Sequence, residues 1–295
     1  MMAQAVAQPE VSPVTVLPTL ARKEVGRYAR HPAFLLGALL TALASIGPPD
    51  DRMSSLGAVI VPAAGIGLFG LVVMASLARS GDRIAGAAGT VATDQRTRTL
   101  ALAAALVVPL TVGLVWFGWA VWAYRTWPPP TGGLPFGGVG DAWVYSVLFA
   151  LGVVSCVGGP VLGLVIARWL PMRGAAPVAV VLLVLVTILM QGLFAATRPF
   201  RLVMPWTYFG GPIGIAGDRN RMLILTGSPQ WYVGYLVLLC AAGVVLALLR
   251  DDERPRGRLL VVLATVTLGA LVCCVLASTM GVEATMVNPV PSGSP

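Results

Sequence analysis

Charge is what this sequence has least of. Asp, Glu, Lys and Arg make up only 11% of its 295 residues, against 57% hydrophobic, and the mean hydropathy is +0.84. About a quarter of the residues of an ordinary soluble domain are charged, so this chain has too few to cover a water-facing surface and reads as an integral membrane protein. The positive balance, +8 with an isoelectric point near 9.9, does not indicate a nucleic-acid binder. The arginines stand at the ends of apolar runs rather than in a stripe interleaved with aromatics. Histidine occurs once, as His31 beside Arg30. The four cysteines, Cys156, Cys240, Cys273 and Cys274, all fall inside apolar runs without C-x-x-C spacing, the pattern of small packing residues rather than of a metal or redox centre. Paired carboxylates, H-E-x-x-H and G-x-S-x-G are missing, so the sequence offers no catalytic, cofactor-binding or metal-binding residues. Residues 65–70, GIGLFG, spell G-x-G-x-x-G, but a dinucleotide site needs that pattern between a strand and a helix in water. In the middle of an apolar run it reads as close helix packing through small residues, as does the Gly159/Gly163 pair. The first twenty residues have neither a basic start nor a continuous apolar core, so no cleaved signal peptide is expected.

What the sequence has in quantity is long apolar runs. A span needs about 20 mostly apolar residues to cross roughly 30 Å of hydrocarbon. Seven candidates meet or approach that length: Ala33–Gly47, Leu56–Ala78, Thr99–Trp122, Ala142–Ala167, Ala175–Ala196, Trp231–Leu249 and Leu259–Met280. Lys and Arg are retained on the cytoplasmic side, and placing the N-terminus inside leaves fourteen basic residues in inner segments and six in outer ones. The expected topology is therefore N-in and C-out. Asp, Glu, Lys, Arg and His are missing from the middle of every candidate span, which lowers the odds of a proton relay, an ion-coupled transporter or an intramembrane enzyme.

Three segments outside the spans carry pattern. Before the first span, LPTLARKEVGRYARHPAF sorts Leu17, Leu20, Val25 and Tyr28 to one side of a helix, and Arg22, Lys23, Arg27 and Arg30, with Glu24 among them, to the rest. This predicts a helix over 17–31 lying in the inner membrane surface, arginines near anionic lipid headgroups, ended or bent by Pro32. Between the second and third spans, SGDRIAGAAGTVATDQRTRTLALAA keeps nearly twenty residues where two to eight would join adjacent helices. Thr93 or Asp94 is placed to cap the helix that follows. Between the fifth and sixth spans a long connection rich in Phe200, Trp206, Tyr208 and Phe209 is expected to form an amphipathic or re-entrant element on the outer surface, an outer gate or an aromatic anchor.

This order of elements resembles the membrane subunit of a type 2 ABC exporter, most closely the divergent permeases common in actinobacteria. The residues that carry it are RYARHPAFLLG at the end of the basic helix, the Gly89-Thr90 pair, and RTRTLA opening the third span. One lysine among twenty basic residues, with abundant Ala, Gly and Val, fits a GC-rich bacterial source. The resemblance implies an all-α, polytopic bundle in the bacterial cytoplasmic membrane. Residues 1–16 would be a disordered tail, 17–31 the interfacial helix, 32–250 a six-span permease domain, 251–258 a charged cytoplasmic hinge, 259–280 a seventh span and 281–295 an extracytoplasmic tail. It further implies that the long inner connection docks on a separate ABC ATPase subunit through Asp82, Arg83, Gly89, Thr90, Asp94, Arg96 and Arg98, and that the N-terminal helix lies against that ATPase. Two departures stand out: the acidic residue expected before Gly-Thr is represented only by a displaced Asp82, and the seventh span exceeds the usual core. The chain contains no G-x-x-x-x-G-K-[ST], so ATP and Mg would sit on the partner and this chain would not itself be an enzyme. The implied function is export of an apolar or amphipathic cargo (drug, lipid or peptide) by alternating access, with a second copy or a sister permease completing the path. The competing reading is a non-transporting scaffold or anchor subunit of a multi-protein complex.

Overall fold

The computed structural model describes residues 13–46, 56, 58–88, 94–126, 139–170, 172, 174–189, 204, 213–215, 222–224, 227–250, 255–281 and 285–287. Their side chains are described from residue 16 onward, except at 83–88 and in the strands. The described residues are almost entirely helical. In order come α1 (Pro13–Ala29), α2 (Pro32–Ile46), α3 (Ile60–Pro62), α4 (Phe69–Ala88), α5 (Gln95–Ala104), α6 (Val107–Thr126), α7 (Asp141–Leu148), α8 (Ser155–Trp169), α9 (Ala175–Ile188), α10 (Pro229–Leu248) and α11 (Gly257–Thr279). Two wider π-helical stretches, Ala63–Leu68 and Phe149–Val154, join α3 to α4 and α7 to α8.

Five continuous helices are long and apolar enough to cross a membrane: Ile60–Asp82, Gln95–Thr126, Asp141–Trp169, Pro229–Leu248 and Gly257–Thr279. A sixth is counted if α1 and α2, bent by 56° across Pro32, are taken together as one span. The helices thus fit a transmembrane protein, with two differences from the expected seven. The first candidate is α2, only 15 residues long. The fifth is α9, described over 14 residues, with residues 190–196 outside the description. The N-terminal helix begins at Pro13 and stops at Ala29, because Pro32 admits no helical hydrogen bond and the chain must turn there. The expected third span begins earlier, at Gln95, and is interrupted at residues 105–106.

The all-helical expectation leaves out one small feature. Strands β1 (Ile213–Ile215), β2 (Met222–Ile224) and β3 (Thr285–Val287) form an antiparallel sheet in the order β1-β2-β3, with Ile213 opposite Ile224 and Met222 opposite Val287. β3 comes from the segment after α11, so this sheet draws the long connection and the C-terminal segment together.

Small residues decide where helices cross. With no water to expel between lipid-facing helices, association rests on close backbone approach. A side chain at Gly159 would run into the carbonyl of Gly67, and one at Gly163 into the carbonyl of Leu71, so α8 lies directly on the helix through α4. Gly37 and Gly65 make the same kind of contact between α2 and the first π-helical stretch. The GIGLFG run and the Gly159/Gly163 pair are thus both crossing points. Hydroxyls in the apolar helices bond to carbonyls one turn back, as Thr41 does to Gly37 at 2.8 Å and Ser45 to Thr41 at 2.7 Å. The Trp116 indole N–H donates to Ser45 Oγ at 3.1 Å and ties α6 to α2.

Two apolar cores stack along the bundle. One gathers Tyr124, Trp143, Leu148 and Tyr232 around the α6–α7 end; the other gathers Tyr28, Phe34, Met74, Leu102 and Leu164 around the opposite end. Tyr28, fully buried, anchors α1 in this second core. Its ring lies 5.1 Å from that of Phe34, and its hydroxyl fills the space left by the missing side chain of Gly70.

Candidate functional site

The polar residues gather at the two ends of the bundle. At one end Arg125 Nη2 meets Asp141 Oδ2 at 2.6 Å, and Arg125 Nε donates to Tyr145 Oη at 2.6 Å, closing α6 onto α7. The other end holds the larger cluster, and Asp82, in the last turns of α4, is its centre. Arg168 Nη1, from the end of α8, donates to Asp82 Oδ1 at 3.0 Å and Oδ2 at 2.8 Å. Arg98 Nη1, from the first turns of α5, approaches Asp82 Oδ1 at 3.4 Å. The Arg168 side chain is 1% exposed and that of Asp82 43%. A buried guanidinium is therefore held by a carboxylate open to solvent on its far side, the arrangement in which removal of the acid leaves an uncompensated buried charge.

Asp82 and Arg98 bracket the connection, of which α4 takes the residues up to Ala88 before the chain returns at α5 from Gln95, so most of the nearly twenty residues expected between the spans are helical. Its return is fixed by Asp94, which caps α5 by accepting from the Arg96 backbone N–H at 3.1 Å. Next to this joint, Arg27 on α1 donates to Ser80 Oγ at 2.6 Å and pairs with Glu24 at 2.7 Å. One patch thus links α1, α4, α5 and α8.

The residues expected to meet a partner divide accordingly. Asp82 and Arg98 are engaged with one another and with Arg168 within the chain, while Asp82 keeps 43% of its side chain exposed. Asp94 caps α5, and Arg96 stands in the first turn of that helix. Gly89, Thr90 and the Arg83 side chain lie outside the described residues, as do Phe200, Trp206, Tyr208 and Phe209. Arg22, Lys23, Glu24, Arg27 and Arg30 all fall on α1 or its end. Arg168 closes the fourth apolar run, on the side that the basic residues assign to the cytoplasm, and its burial against Asp82 is a role that hydropathy along the chain does not give. The available signal was that both residues close apolar runs assigned to the same side and carry opposite charge.

A second feature lies within the apolar part of the bundle. A groove of about 440 Å³ is lined by Ala103, Leu106, Leu110, Phe149, Val153 and Cys240, among other wholly apolar neighbours. It sits where α5 breaks from α6 and where the second π-helical stretch widens the backbone, both places at which helix geometry is easily altered.

Family models, curated proteins and solved structures were compared with the chain, and none matches it.

Proposed function

We propose that this chain is the membrane permease subunit of an ATP-driven ABC exporter, N-terminus inside, with a separate ATPase docking on the connection between α4 and α5. The observation that carries this reading is the Asp82 joint. The connection is clasped at its base by Asp82 and Arg98 and tied through Arg168 to α8, whose glycines lie directly against α4. A push on residues 89–93, or on the end of α4 that carries Asp82 and runs to Ala88, would therefore displace helices and not merely deform a loop. The apolar groove supports an apolar or amphipathic cargo, since it offers no polar group to a hydrophilic one. Being a single bundle without a nucleotide-binding motif, the chain needs an ATPase and a second permease copy or sister permease to complete a cycle.

The test is co-purification from the native host, followed by ATPase measurement in lipid. The expected result is a Walker A protein that accompanies the chain and is lost when Arg83 and Arg96 are replaced by Glu. These two are the informative positions, because replacing Arg98 would also break the internal joint. If the chain purifies in a stable assembly with no ATPase, the scaffold reading takes its place.

A further inference from the structure

The face of α1 that looks away from the core is more positive than a helix on its own would favour. Arg22, Lys23, Gly26, Arg27 and Arg30 recur at one-turn intervals and line a notch of about 520 Å³. Val25 and Tyr28 turn the opposite side into the apolar core. Like charges three and four residues apart, such as Lys23 with Arg27 and Arg27 with Arg30, repel one another along a helix. The helix dipole accounts for cations in the last turn, but its effect falls off within that turn and does not reach Arg22 or Lys23. Glu24 offsets Arg27 alone, and Arg22, Lys23 and Arg30 have no ion pair among the described residues. At the middle of the notch stands Gly26, where an added side-chain carbon would meet nothing within 4 Å. The floor is open and the charge uncompensated, which is the arrangement that an anion relieves.

The neighbouring element indicates which anion. Across the 56° corner at Pro32, α2 leaves Leu35, Leu36, Leu39, Leu40 and Leu43 exposed along one side. The basic notch therefore lies where an apolar helix begins, the level at which phosphate headgroups meet hydrocarbon. We infer that the α1–α2 corner is a seat for one anionic diacyl phospholipid, its phosphate held by Arg22, Lys23 and Arg30 and its acyl chains laid against the leucines of α2. This goes beyond the exporter reading and does not depend on it, because the seat needs neither an ATPase nor a transported cargo.

Native mass spectrometry of the full chain in mild detergent, with phosphatidylglycerol or phosphatidylcholine added at equal concentration, tests the inference. The expected preference for phosphatidylglycerol is about tenfold or more, because its phosphate keeps a net negative charge that the choline cation cancels in phosphatidylcholine. The triple variant R22Q/K23Q/R30Q should bring uptake down to the phosphatidylcholine level, whereas R22K/R30K keeps the charge and should keep most of the preference. Arg27 is left intact because it also holds Ser80. Helix content and gel-filtration retention check that the triple variant is folded; if it is not, R30Q alone should lower the preference about fivefold. Equal uptake of the two lipids would overturn the seat, as would a preference the variants do not change. Displacement of the bound lipid by millimolar glycerol phosphate would also overturn it, since a soluble phosphate would then be the better ligand.

Discussion

Asp82 is shared between two arginines that differ in burial, and this gives the residue-scale predictions their direction. Replacing Asp82 with Asn leaves the buried Arg168 guanidinium without its counter-charge and should cost about 2 kcal/mol. This is below the range for a fully buried pair because Asp82 is open to water on one side. The double variant Asp82→Asn with Arg168→Met should recover much of that loss, since Met puts no charge in the buried position and the amide at position 82 stays open to water. Thermal unfolding followed by gel filtration in detergent would measure both, and a double variant less stable than Asp82→Asn would remove the ion-pair account. His31 supplies a pH dependence. Its Nδ1 accepts from the Ala33 backbone N–H at 3.2 Å, and partial burial together with the nearby Arg27 charge lowers its pKa below the usual 6.5. The folded state therefore disfavours the protonated ring. Stability from this corner is full above about pH 6.5 and declines as the pH falls toward the lowered value, where the unfolded chain takes up a proton first. The fall in melting temperature between pH 7.5 and 5.5 should be smaller in His31→Gln than in the parent protein.

At the scale of elements, hydrophobic runs and their punctuation made most of the helices legible in advance. The 56° corner follows from Pro32, the start of α5 from Asp94, and the close α4–α8 crossing from glycines that a membrane helix keeps for contact. The π-helical stretches had no such signal, because a one-residue change in hydrogen-bond register leaves the composition unaltered. Gly159→Val should destabilise the bundle by roughly 3 kcal/mol, since the added atoms meet the Gly67 backbone, which has no side chain to move aside. Ser45→Ala removes little more than the acceptor of the Trp116 indole N–H and should cost about 1 kcal/mol. If the two variants unfold at the same temperature, the α4–α8 crossing is not the tight seam described here.

At the scale of the whole molecule, the described residues stack as two cores with a charged joint at one end and the Arg125–Asp141 pair at the other. The proposed orientation puts the Asp82 end in the cytoplasm. A cysteine at Thr19 should then react with a membrane-impermeant maleimide only after permeabilisation, and one at Ala142 should react in intact cells. The reverse pattern would invert the topology and with it the ATPase docking face. Sequence alone determined that the chain is built of helices apolar enough to span a membrane, how its apolar runs alternate, and where its basic residues concentrate, because these depend on the cost of placing charge and unpaired backbone in hydrocarbon. Tertiary structure alone decided that Asp82 closes on Arg168 across 86 residues, that α1 is pinned by Tyr28 and Arg27, and that β3 joins the strands before α10. Each of those depends on which helix ends come together in space, and hydropathy along a single chain does not encode that meeting.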